Sequence, residues 1–191
     1  MNELEEIIRR MADALNAARA SFQVWKSLRS SEPRSKRLRS QLNVPGFVDF
    51  IHAANSAHYK IIFLELGCLF DSDPRSASIR RLKEELELAH LQHLVQLVDD
   101  KLSSRSEIVK GIHLIRSRLI AHRDVGAQSD EIHKQAKIAP DMLDTLIKEL
   151  TELLNEIAKE LKVQPNPIVS ITDRFADATY ELGNIVDSRR S

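Results

Sequence analysis

Glycine and proline are scarce, at five and six residues in a chain of 191. Together they reach about half of ordinary usage, and sheets joined by tight turns need more of both, so composition points to long helices. Cysteine is scarcer still. The single Cys68 cannot form an internal disulfide, and its apolar neighbours suit a buried thiol. No long hydrophobic run is present: the stretch Ile61 to Phe70 is interrupted by Glu65 and falls short of the roughly 18 apolar residues that a membrane span needs. The opening MNELEEIIRR lacks the basic flank, apolar run and small-residue cleavage site of a signal peptide. Net charge is missing too, with 28 Lys and Arg against 28 Asp and Glu, a balance that taken alone argues against a polyanionic partner. Charged residues at 29% and apolar ones at 42% are ordinary for a globular chain and exclude wholesale disorder. The expectation is a soluble, folded, cytoplasmic protein without a membrane partner.

What is present is helical period. Leu4, Ile8, Met11, Leu15, Ala18, Phe22 and Trp25 line one face of a helix from about Asn2 to Ser30. Residues 30–46 lose the period, carry two prolines and a glycine, and read as a basic loop. Apolar content returns from Phe47 to Phe70 and predicts a largely buried helix, stopped by Asp71-Ser72-Asp73-Pro74. Ser76 or Ser78 caps the next helical span, which runs with one break to Leu102; another follows from Ser106 to His122, with Gly126 as its stop. Residues 126–138 are polar and unassigned. Pro140 opens a long helix to Leu161, and beyond Pro165-Asn166-Pro167 a narrow seam of Ile171, Phe175, Ala178, Leu182 and Ile185 suits docking on another helix. The predicted fold is all-α, a single-domain bundle of five or six helices over residues 1–163. Residues 164–191 form a linker and an amphipathic helix that packs on the body or on a partner subunit.

The segment that carries chemistry is Ile112 to Asp124, IHLIRSRLIAHRD. On an α-helix Arg116 and His122 stand about 9 Å apart along the axis and roughly 120° apart around it, on one broad side. A guanidinium can fork onto phosphate oxygens and an imidazole titrates near neutrality, so the pair suits a phosphodiester. An interior histidine beside a solvated arginine meets the same spacing.

Arg116-Ser117-Arg118-Leu119-Ile120-Ala121-His122 resembles the motif of HEPN domains, in which an arginine and a histidine are separated by four to six residues. Ala121-His122-Arg123-Asp124, with Leu64 to Asp71 and Ser76 to Ile79, is similar to the subfamily associated with abortive infection. The resemblance covers residues 1–163 and implies a metal-independent endoribonuclease, dimeric through the motif helix. It implies that Arg116 stabilises the phosphorane and that His122 acts as general base or general acid. It also implies an RNA substrate and an antitoxin, of nucleotidyltransferase or another type. No cofactor or metal is expected. Ser117 and Asp124 are the supporting polar residues; Ser117 stands where the family often has Asn or Asp, and Asp124 where toxin members carry a modifiable tyrosine. A non-catalytic dimer of the same fold that binds RNA or a protein partner is the alternative.

Charge distribution bears on the RNA partner. Residues 26–39 hold six basic residues against Glu32, and residues 105–123 hold five against Glu107. Arg34, Lys36, Arg37 and Arg39 of the first stretch and Arg118 and Arg123 of the second are the RNA-binding candidates. The compensating acids lie elsewhere, six of them against two lysines in residues 141–160. A rival reading is a metal site in a bundle: Glu87 and His90 have Glu-x-x-His spacing, His93 follows, and Asp49, His52 and Glu65 form a looser echo. Such sites need two Glu-x-x-His pairs, and the sequence holds one.

Overall fold

The computed structural model describes residues 3–45, 47–121, 129–163 and 174–188. They form α1 (Glu3–Arg29), α2 (Pro33–Leu42), α3 (Val48–Leu69), α4 (Ile79–Leu88), α5 (Gln92–Leu102), α6 (Ser106–Ile115), α7 (Ser129–Ala136), α8 (Pro140–Glu160) and α9 (Arg174–Ser188). A 3₁₀ turn, Ser103–Arg105, precedes α6, and a π-helical segment, Arg116–Ala121, follows it. No strand occurs among the described residues, so the all-helical fold holds, more finely divided than five or six helices. Among them no helix is long and apolar enough to cross a membrane. The chain divides into two compact units, Met1–Ala18 with Phe63–Val169, and Arg19–Ile62 with Ser170–Ser191.

In the first unit the apolar period is converted directly into core. Ile8, Met11 and Leu15 of α1, Leu82 and Leu86 of α4, Ile112 and Ile115 of α6 and Leu150, Leu153, Leu154 and Ile157 of α8 are buried. Fully burying each such side chain contributes about 1.5–3 kcal/mol. α4 packs on α5, α5 on α8 and α6 on α7. Ser78 caps α4 by accepting the Arg81 N–H at 3.4 Å, as its hydroxyl suggested. The break expected before Leu102 falls at His90, which takes a φ of 58°. There the Leu91 N–H donates to the Leu86 carbonyl and the His90 N–H to the Glu87 carbonyl, closing α4 with a left-handed cap. The polar stretch 126–138 contains α7, which buries Ile132 and Ala136. It can approach α6 because Gly111 has no side chain: a Cβ there would lie 2.5 Å from the Ala136 carbonyl oxygen.

The second unit corrects the reading of residues 30–46 as a loop. Residues 33–42 are α2, with Pro33 in the first turn, where its missing N–H costs nothing, and with Ser35, Leu38, Gln41 and Leu42 buried. Four buried positions spaced by three, three and one do not resemble an amphipathic period, because two of them are polar. α9 packs on α2 of the same chain. The Ser35 hydroxyl and Tyr180 hydroxyl share a hydrogen bond of 3.0 Å, and the Gln41 amide donates to Asn184 and Asp187. Gly183 lies against Leu38 so closely that a Cβ would stand 2.6 Å from its Cδ1. The docking face thus runs through Tyr180, Leu182, Gly183, Val186 and Asp187, so that of the expected seam Leu182 packs, against Leu28, Leu38 and Leu42. Phe175 and Ile185 of that seam stay 38% and 48% exposed, and Ile171 lies outside the described residues. On α3, Phe50 and Leu64 are also exposed, so that helix is less buried than its apolar content suggests.

Candidate active site around Arg116

Arg116 is the first residue of the π-helical segment, immediately after the buried Ile112 and Ile115 of α6. A π-helical turn bonds i to i+5 and inserts one residue into an α-helix, a deviation that recurs at functional sites. Residues 116–121 thus depart from the regular α-helix expected from the sequence. Ile112 and Ile115 point into the core, and Arg116 stands beside them at its edge, with 27% of its side chain exposed.

Two acceptors hold it there. The Arg116 Nη1 donates to the Gly67 carbonyl at 3.1 Å and to Asp71 Oδ2 at 3.1 Å. Gly67 is buried in the last turn of α3, and a Cβ at that position would lie 2.5 Å from Arg116 Cδ, so the arginine lies directly over the glycine backbone. Asp71 follows α3 in the turn that Pro74 ends, and its Oδ1 accepts the Asp73 N–H at 3.1 Å. That backbone N–H, and then the Arg116 guanidinium, hold the Asp71 carboxyl below the usual carboxylate range. Neighbouring groups respond to burial. It pushes the Cys68 thiol up, against the opposing pull of Arg116, so the thiol stays protonated and is a poor nucleophile. Burial raises the Glu65 carboxyl as well.

Of the other residues expected in the site, His122, Arg123 and Asp124 lie outside the described residues. Ser117 is exposed, and its hydroxyl donates back to the Leu114 carbonyl at 3.3 Å, a local bond within the helix. Arg118 is exposed. Part of the basic character of residues 105–123 is spent within the fold. Arg105 Nε donates to Glu149 at 2.7 Å and Lys110 pairs with Glu107 at 2.7 Å. In the second unit Arg34 pairs with Asp177 at 3.0 Å and lies 3.9 Å over the Tyr180 ring, while Arg39 donates to the Leu28 and Ser30 carbonyls that end α1. Lys36 and Arg37 are exposed on α2.

The rival metal arrangement is not assembled. α4 ends at Leu88, so Glu87 and His90 do not share a helical face, and the exposed His93 bonds to Glu160. Among the described residues no group of three or more His, Cys, Asp or Glu side chains is placed to hold a metal ion. Gly67 and Asp71 are the site residues that reading for chemistry missed. The available signal was a lone glycine inside an apolar helix, which often marks a close approach.

The profile of the HEPN AbiU2 family matches residues 1–182, running from α1 into α9 and across the segment that holds Gly67, Asp71 and Arg116. No curated protein and no solved structure matches the chain. The helical fold and a match over almost the whole sequence lead to one conclusion: this chain belongs to the AbiU2 family of HEPN domains, associated with abortive infection.

Proposed function

We propose that this protein is a metal-independent endoribonuclease, the toxin or effector of an abortive-infection or toxin–antitoxin system, acting on RNA through Arg116 and His122. The observation that carries the reading is the fixed guanidinium. Arg116 is anchored at one end by Gly67 and Asp71 while a quarter of its side chain stays open to solvent. A charged, preorganised donor of this kind stabilises the extra negative charge that develops on a phosphorane. His122 takes the proton of the 2′-hydroxyl, the 2′-oxygen attacks phosphorus, and the P–O5′ bond breaks. The products are a 2′,3′-cyclic phosphate and a 5′-hydroxyl end. A two-fold dimer supplies a second copy of His122 to protonate the leaving oxygen, so acid and base work are divided. Use of the 2′-hydroxyl selects RNA over DNA.

The test compares wild type, Arg116→Ala and His122→Ala on structured RNA in the presence of a chelator, with end-group analysis. Cleavage by wild type alone, leaving 2′,3′-cyclic phosphate ends, is the expected result. Equal cleavage by all three proteins overturns the reading, as does RNA binding by wild type without any cleavage, which leaves the non-catalytic dimer.

A further inference from the structure

We propose that Asp71 is a positioning residue: it turns the Arg116 guanidinium so that one defined edge, Nε with Nη2, meets the scissile phosphate. The inference rests on the reading of Arg116 as the phosphate-binding group. A guanidinium has five N–H donors and can present a two-donor fork either from its end, Nη1 with Nη2, or from its side, Nε with Nη2. Here both acceptors take Nη1, the Gly67 carbonyl at 3.1 Å and Asp71 Oδ2 at 3.1 Å, which uses both of its hydrogens. Among the described residues neither Nε nor Nη2 meets an acceptor, and Arg116 retains 27% exposure. Among the described residues the end fork is therefore closed and the side fork is open.

The two anchors are not equivalent. Gly67 offers a backbone oxygen fixed by α3, whereas Asp71 is a side chain that must itself be held. Its second oxygen is held by the Asp73 N–H at 3.1 Å, in the turn ahead of Pro74. A carboxylate beside the arginine also weakens its field at an incoming phosphate, so Asp71 works against affinity taken alone. What it supplies is orientation, and orientation is worth most in the transition state, where about 1 Å of misplacement can cost roughly 100-fold in rate. Removing the carboxylate should therefore separate kcat from KM in a direction that simple loss of structure does not produce.

The experiment measures RNA cleavage by wild type, Asp71→Ala, Asp71→Asn and Asp71→Ala in an Arg116→Ala background. Thermal melts and the Arg116 Nε–H resonance in NMR spectra are recorded for each protein that keeps Arg116. Asp71→Ala is expected to lower kcat by about 10- to 100-fold with KM unchanged or lower, since a nearby negative charge is gone. Asp71→Asn keeps an oxygen acceptor and should recover part of the loss, and Asp71→Ala should add nothing once Arg116 is absent. The Arg116 resonance should shift or broaden in Asp71→Ala while the melt stays cooperative. Wild-type kcat in Asp71→Ala, or an unmoved Arg116 resonance in a folded Asp71→Ala protein, overturns the proposal. If wild type cleaves no RNA, the ribonuclease reading fails by itself, and the NMR comparison still decides whether Asp71 orients Arg116.

Discussion

Gly67→Ala isolates the placement of Arg116 from everything else in the protein. The new methyl would lie 2.5 Å from Arg116 Cδ, 3.3 Å from Nε and 3.4 Å from Nη1. Carbon atoms settle at about 3.5–4.0 Å, so the arginine stem has to withdraw by roughly 1 Å or more. Its anchors follow a different rule, because the Gly67 carbonyl belongs to the α3 backbone and stays in place. The Nη1 hydrogen bonds are therefore stretched, each with a net worth of about 1 kcal/mol or somewhat more for a charged donor, less where solvent reaches. Against this, alanine in a helix interior gains roughly 0.5–1 kcal/mol over glycine. The two bonds together outweigh that gain by about 1 kcal/mol, and since 1 kcal/mol moves the midpoint of a chain this size by about 2–4 °C, the melt should fall by only a few degrees. Activity should respond far more, by roughly 100-fold, because the group that meets the phosphate has moved by about 1 Å. Cleavage of a labelled RNA in chelator, read beside a thermal melt, gives both numbers from one preparation. Cleavage within threefold of wild type would falsify the reasoning, since it would mean that the fit of Arg116 over Gly67 has no bearing on the chemistry.

Two further outcomes concern the second unit. Burial depresses the His58 imidazole, whose Nδ1 lies 3.3 Å from the Ser21 hydroxyl. The unfolded chain then takes up a proton from pH 6.5 downward that the folded chain resists, so stability falls as pH drops from 6.5 through the lower folded value. Urea denaturation at pH 5.5 and 7.5 should show a smaller pH difference in His58→Gln than in wild type, and an identical difference would refute the assignment. At Gly183, a valine would intrude on Leu38 Cδ1 and Gln41 Oε1, to which even a Cβ would stand at 2.6 and 2.8 Å. Overpacking of this kind costs about 1–3 kcal/mol. Gly183→Val should make α9 more susceptible to limited proteolysis, and unchanged protection would show that α9 does not depend on this contact.

In the folded chain acids and bases from distant segments meet. Arg105 meets Glu149 from 44 residues away and Arg34 meets Asp177 from 143 away, so charges that look clustered in sequence are partly cancelled in space. The basic stretches therefore overstate the free positive charge. Lys36 and Arg37 remain exposed on α2, and they are the better electrostatic candidates of the first stretch. Arg39, by contrast, closes the end of α1 and Arg34 holds α9.

The sequence by itself determined the helical class, the spans of α1, α3 and α8, the Ser78 cap and the candidacy of Arg116. These are local properties: a 3.6-residue period, a capping hydroxyl and a short motif are each written within one segment. The tertiary structure alone decided the rest. α2 was hidden because a short helix that buries Ser35 and Gln41 shows no apolar period. The docking face of α9 was legible only at Leu182, because Gly183 and the polar Tyr180, Asn184 and Asp187 complete it, while Phe175 and Ile185 of the apolar seam stay partly exposed. The cradle of Arg116 was hidden because Gly67 and Asp71 lie 49 and 45 residues upstream of it. Only the packing of helices brings a bare backbone carbonyl and a turn carboxylate under one guanidinium, and that meeting is what makes Arg116 a fixed donor.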